Sequence, residues 1–137
     1  MLIKSEPQKI LRPAAHVYSL VSDMRNFKPL MPGQVEDFSA SSDQCKFSIP
    51  GMGEIELFVT DRVQDEAITY SSGGNLPVKF SLILKLDGQI DFCTANFILN
   101  ADMNPMMAML AKTPLQNFIN LLSQKLKEYA EGSTANA

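Results

Sequence analysis

The ten residues EIELFVTDRV, 54–63, constrain the fold of this chain more than any other stretch. Ile55, Leu57, Val59 and Val63 share one parity, while Glu54, Glu56, Thr60 and Arg62 take the other, with Phe58 the exception. A period of two with one oily and one wet face describes a strand in an antiparallel sheet covered on one side. Neighbouring runs repeat the pattern. Val35–Ala40, residues 44–49 with Cys45, Phe47 and Ile49 inward, and Ala67–Ser72 read as strands. So do the run carrying Val78, Phe80, Leu82, Leu84 and Leu86 on one face, and Ile90–Leu99 with Cys93, Ala95, Phe97 and Leu99 inward. The turn residues PGMG at 50–53, SGGNLP at 72–77 and Asp87-Gly88 separate them, the last as a two-residue hairpin signal.

Both ends of the chain change period. Residues 2–10 are extended, with Pro7 marking an edge strand with a bend. In RPAAHVYSLVSDMRNF, the residues Ala14, Val17, Tyr18, Leu20 and Val21 recur at helical spacing behind Pro13. Ser22 and Asp23 stop this helix and cap a second, short one from Met24 to about Met31. At the other end Leu115, Phe118, Ile119, Leu122, Leu126 and Tyr129 form an amphipathic stripe that Gly132 ends. Thr113-Pro114-Leu115-Gln116 fits a capping box, so 105–112 reads as a separate turn or two, or as a kinked lead into one long helix. That segment holds an unusual concentration of sulfur: Met103, Met106, Met107 and Met109. A domain over 1–131 with a frayed tail at 132–137 is expected.

At 137 residues the chain can bury roughly two-thirds of its unfolded surface, so neither disulfide nor metal is needed to fold it. A net charge of −3 without any Lys/Arg run argues against nucleic acid as a partner. MLIKSEPQKIL lacks the apolar run of a signal peptide, and no stretch of about 18 apolar residues offers a membrane span. Cys45 and Cys93 lie in strand-like runs without C-x-x-C spacing, which suits buried reduced thiols and a cytoplasmic setting.

The order of strand, two short helices, six strands and a long helix is α+β, and it resembles the helix-grip fold of the SRPBCC superfamily. START lipid-transfer domains, birch-pollen-allergen-like proteins and polyketide cyclases share that fold. HVYSLVSDMRNFKPLMPG, 16–33, looks like an opening common in the superfamily, with Val21, Asp23, Phe27 and Pro32 at the matching positions. The chain has no Trp, where the ubiquinone-linked branch carries one. The resemblance implies a curved antiparallel sheet of about seven strands around the C-terminal helix, with a cavity between them. Its walls would be Phe47, Leu57, Phe80, Leu82, Phe97 and Phe118. Phe27, Leu30, Met31, Met103, Met106, Met107, Met109 and Leu110 would form its mouth. Methionine re-packs around apolar guests of differing shape, although a plug filling a gap fits the same residues.

Chemistry is harder to find. His16 is the only histidine, and no nucleophile and acid accompany it. One His and two separated Cys give no first shell for a metal, and no cofactor is expected. Asp61 is the weak catalytic candidate: its parity points it inward, where a carboxylate would have a raised pKa, unless a bulge turns it out. Tyr18, Tyr70, Asn96, Asn100 and Asn104 could orient a ligand. The leading expectation is a carrier of a small hydrophobic molecule such as a lipid, isoprenoid or polycyclic aromatic, without stable membrane insertion. A monomer or weak homodimer is expected. A cyclase- or aromatase-like enzyme is one alternative. An interaction module like the Hsp90-activator branch, favoured by Phe58 alone on a polar face, is the other.

Overall fold

A computed structural model of the chain describes residues 1–33, 35–50, 53–73 and 79–133. Val78, Gly51 and Met52 of the PGMG turn, 74–77 of the SGGNLP loop and 134–137 of the expected tail lie outside these. In chain order the elements are β1 (Leu2–Lys4), β2 (Gln8–Ile10), α1 (Ala14–Val21) and a 3₁₀ helix (Met24–Leu30). The strands β3 (Glu36–Ala40), β4 (Gln44–Ile49), β5 (Gly53–Val63), β6 (Ala67–Ser72), β7 (Lys79–Gly88) and β8 (Cys93–Asp102) follow, then α2 (Pro105–Ser133). All pairings are antiparallel in one eight-stranded sheet ordered β1-β8-β7-β6-β5-β4-β3, and β2 also pairs with β8. The fold is α+β, a curved sheet covered by one long helix.

The count is eight rather than about seven because Pro7 divides the N-terminal extended stretch in two. Proline has no N–H to give the ladder, so pairing stops around it. Ser5 repairs part of the gap: its amide donates to Phe97 O at 2.8 Å, and its buried hydroxyl accepts from the Phe97 amide at 2.8 Å. Both short strands thus stay on β8. The strands 44–49 and 67–72 stand at the expected bounds.

Two turn assignments change. Asp87-Gly88 is not the hairpin turn, since Gly88 is still paired, opposite Cys93, and the chain reverses where Gln89 N donates to Phe92 O at 2.8 Å. Gly88 has a different use: a Cβ there would stand 3.0 Å from the Ala14 Cβ, so glycine lets α1 lie close against the β7 end. The β8 strand accordingly begins at Cys93 rather than Ile90.

The expected second helix is present as the 3₁₀ turn, with Asp23 as its cap, accepting from Arg25 N at 3.0 Å. The capping box at Thr113–Gln116 does not form. α2 runs unbroken through Pro114 from a cap at Asn104, whose side chain accepts from Met107 N at 2.9 Å. Proline removes the bond that would reach the Leu110 carbonyl, but Leu110 lies on the exposed side, where water can serve it. Gln116 instead donates to Lys4 O at 2.7 Å, tying α2 to β1.

The core lies between the concave sheet face and the helices. Ile10, Cys45, Phe47, Leu57, Ile68, Tyr70, Leu82, Leu84, Cys93, Ala95, Phe97 and Leu99 line the sheet, and Leu115, Ile119, Leu122 and Leu126 come from α2. Cys93, Ala95, Phe97 and Leu99 do point inward, leaving Thr94 and Asn96 on the other face. Among the described residues α2 comes closest to β1, β2, β8, α1 and the 3₁₀ helix. Side chains bridge the wider span to β4, where Phe118 lies parallel to Phe47 with ring centroids 6.1 Å apart.

Candidate functional site

The candidate site is the contact zone between α2 and the concave sheet face, together with the first turns of α2. Its deep wall is closed by packing. Phe27, Leu30, Phe47, Leu57, Leu82 and Phe97, all expected to touch a ligand, are buried against other side chains. Phe27 meets Tyr70 edge-on at 5.3 Å. Further out the burial relaxes: Met31, Phe80, Met103 and Phe118 are half-buried and packed against the core. Outermost, Met106, Met107 and Leu110 are 76%, 40% and 76% exposed, and Met109 is 82% exposed. The expected site residues therefore range from fully buried to largely exposed, and the exposed ones lie in the first turns of α2.

Sequence reasoning missed Val35, Phe38 and Ala111, which are also half-buried against the core. Simple alternation puts Glu36, Phe38 and Ala40 on one face. A register shift between Glu36 and Ser39, with Asp37 at φ 55°, separates them. Glu36 opposes outward Ser48, whereas Phe38 lies parallel to the inward Phe47 at 6.4 Å. Nothing in the alternation announces the bulge.

A second bulge decides Asp61. On β5, Val59 faces Tyr70 and Asp61 faces Thr69, so Thr60 is the extra residue. Ile68 and Tyr70 are buried, so Thr69 between them points outward, and Asp61 opposite it is exposed. The inward carboxylate that parity suggested is not on the concave face. Beyond the bulge Arg62 reaches back, donating to Ser22 O and to Asp43 Oδ1 at 2.7 Å each, and so ties the end of α1 to the sheet.

The buried hydroxyls of Tyr70 and Ser123 are satisfied internally, whereas Ser22 Oγ, at the end of α1, is buried with no hydrogen-bond partner among the described residues. Tyr70 donates its hydroxyl to Val21 O at 3.2 Å, and Ser123 donates to Asn120 O at 2.9 Å. Burial pushes the Cys45 thiol up to about 12 and raises Tyr70 and Cys93 as well. These groups stay neutral near neutral pH. Of the other proposed ligand-orienting residues, Tyr18 and Asn96 are half-buried, Asn100 is exposed and Asn104 caps α2. Between the ends of β7 and β8 an open groove of about 440 Å³ is lined by Phe80 and Ala101 among polar Lys79, Ser81, Asn100 and Asp102, with Met1 beside them. Among the described residues no group of three His, Cys, Asp or Glu could hold a metal ion. No helix of these residues is long and apolar enough to cross a membrane.

No family model matches the sequence, and no curated protein matches it. Solved structures match its architecture. Norcoclaurine synthase from Thalictrum flavum superposes with a TM-score of 0.76 at 10% identity, over 96% of this chain and 87% of that one. A START superfamily protein from Mycobacterium smegmatis does so with a TM-score of 0.66 at 13% identity, over 93% of this chain and 97% of that one. A protein from Thermus thermophilus reaches 0.71 at 15% identity with both chains covered at 100%. At these identities the likeness speaks of fold alone, and there it is plain: the chain shares with these structures a helix-grip fold, a curved antiparallel sheet around a long C-terminal helix. A scaffold that hosts many functions leaves the chemistry to the site.

Proposed function

We propose that this chain binds and carries a small hydrophobic molecule between the concave sheet face and α2. The carrying observation is the gradient of apolar side chains from the closed wall to the exposed turns of α2. A soluble chain gains nothing in stability from holding Met106, Met109 and Leu110 in water. With half-buried Met31, Phe80, Met103 and Phe118, which pack against the core, they would supply apolar surface for a guest on its way to the interior. On that surface, Met side chains with three rotatable bonds can re-pack around a guest.

The polar inventory favours a carrier over an enzyme. Ring closure of the cyclase type needs acid–base groups facing the guest. Here Asp61 lies outside the concave face, and the Tyr70 hydroxyl is held by the Val21 carbonyl. Phe58, the residue that pointed to an interaction module, lies over Gly73 and is 38% exposed. With both cysteines buried and unpaired, a cytoplasmic carrier, monomeric or weakly dimeric, is the setting we assign.

The test is titration of a fluorescent fatty acid into chain refolded from denaturant, which strips any resident molecule. Saturable one-to-one binding is expected, and Phe118→Glu, which sets a carboxylate beside Phe47, should weaken it at least about tenfold. No saturable binding by the parent chain would contradict the reading.

A further inference from the structure

Sulfur is unevenly placed on this molecule. Cys45 and Cys93 are free and buried, and desolvation raises both thiols, so almost no thiolate is present to meet an oxidant at neutral pH. Met24 is buried in the 3₁₀ helix, and Met31 and Met103 are partly buried against the core. Met106, Met107 and Met109 are the contrast, at 76%, 40% and 82% exposure. Among the described residues, then, the thioethers most open to solvent share the first turns of α2. Met107 stands one helical turn before Ala111, which packs against the core, so this sulfur borders the buried face of α2.

We propose that this segment is an oxidation site: peroxide-class oxidants convert Met106, Met107 and Met109 to sulfoxides, and the conversion weakens uptake of the apolar ligand. The second half rests on the carrier reading. In each step the thioether sulfur attacks one peroxide oxygen, the O–O bond breaks and an S–O bond forms. The proton on the transferred oxygen passes to the leaving one, which departs as water from hydrogen peroxide or as an alcohol from an alkyl hydroperoxide; sulfur loses two electrons and the peroxide gains them. The product is a polar, chiral side chain in place of a flexible apolar one. A guest crossing the rim would then have to strip water from strong dipoles without replacing their hydrogen bonds. Leu110 lies beside these methionines and cannot be oxidised, and buried Met24 is an internal reference for access.

The experiment treats the full chain with graded hydrogen peroxide. It then maps oxygen addition by peptide mass spectrometry and measures affinity for a fluorescent fatty acid. Oxygen is expected at Met106, Met107 and Met109 before Met24, Cys45 or Cys93, and affinity should fall at least about tenfold as the three fill. In the variant M106L/M107L/M109L, the ratio of affinities after and before peroxide should stay within about twofold of one, whatever its own starting affinity. Complete oxidation of the three without loss of affinity would overturn the proposal. So would an equal loss in the triple variant, or oxidation of Met24 at the same rate. Untreated chain that binds no fatty acid would refute the carrier reading and the gating with it, while the oxygen map would still decide the site.

Discussion

Phe58 lies on the outer face of β5, 38% exposed, among polar neighbours. Its ring covers Gly73, where even a methyl group would collide with the ring, and Gly73 N donates to Glu56 O at 3.0 Å. An aromatic laid over a glycine just past the end of the neighbouring strand shields backbone that would otherwise be bare. Phe58→Ala should therefore lower stability by about 1 kcal/mol in chemical denaturation. Gly73→Ala should cost less in that background than in the parent, and additive effects of the two changes would show that the ring and the glycine are not coupled. Asp23 is a second residue with a local task. Its hydrogen bonds from Arg25, with the guanidinium at 2.6 Å, hold its carboxyl near 2 rather than 3.8. The folded value lies below the unfolded one, so the stabilisation is complete above about pH 4 and is lost as pH falls toward 2. Arg25 is largely exposed, so solvent screens the pair and keeps the contribution small. The stability gap between the parent and Asp23→Asn should close over that range, and a gap independent of pH would contradict the assignment.

Among the described residues, the first turns of α2 bury little of their surface. Asn104 caps them, while Met106, Met109 and Leu110 face water. Asn104→Ala removes a cap of the kind that contributes about 1 kcal/mol. Because residues 105–112 bury little surface, the loss should appear as faster amide exchange over them with little change in global melting. Unchanged exchange there would mean that something other than Asn104 holds the helix start. The elements also show what local pattern can and cannot convey. Strict alternation at Cys45, Phe47 and Ile49 placed β4 correctly, because one buried face fixes register. At Thr113–Gln116 a local capping signal lost to tertiary contact: Gln116 reaches Lys4, and the helix starts nine residues earlier than Thr113 suggests, after its actual cap Asn104. The bulges at Asp37 and Thr60 left no trace in the alternation, yet they brought Phe38 in and turned Asp61 out. Each depends on the partner strand, which the local sequence does not contain.

At the scale of the whole molecule, curvature and helix placement follow from a sheet with one apolar face and a single long amphipathic helix to cover it. That much was legible from residues 54–63 and from the stripe Leu115 to Tyr129, and the solved structures of the same architecture agree. The site was legible only as a set of apolar residues. Its range from buried Phe27 and Phe97 to exposed Met106 and Met109 depends on which turns of α2 the rest of the molecule covers, which no periodicity reports. Carriage of an apolar molecule is the central claim, and native mass spectrometry of the full chain as purified tests it most directly. The account predicts a bound apolar species at close to one per chain, released and identified on denaturation. A bare chain mass, together with no saturable binding when lipid is added back, would contradict it.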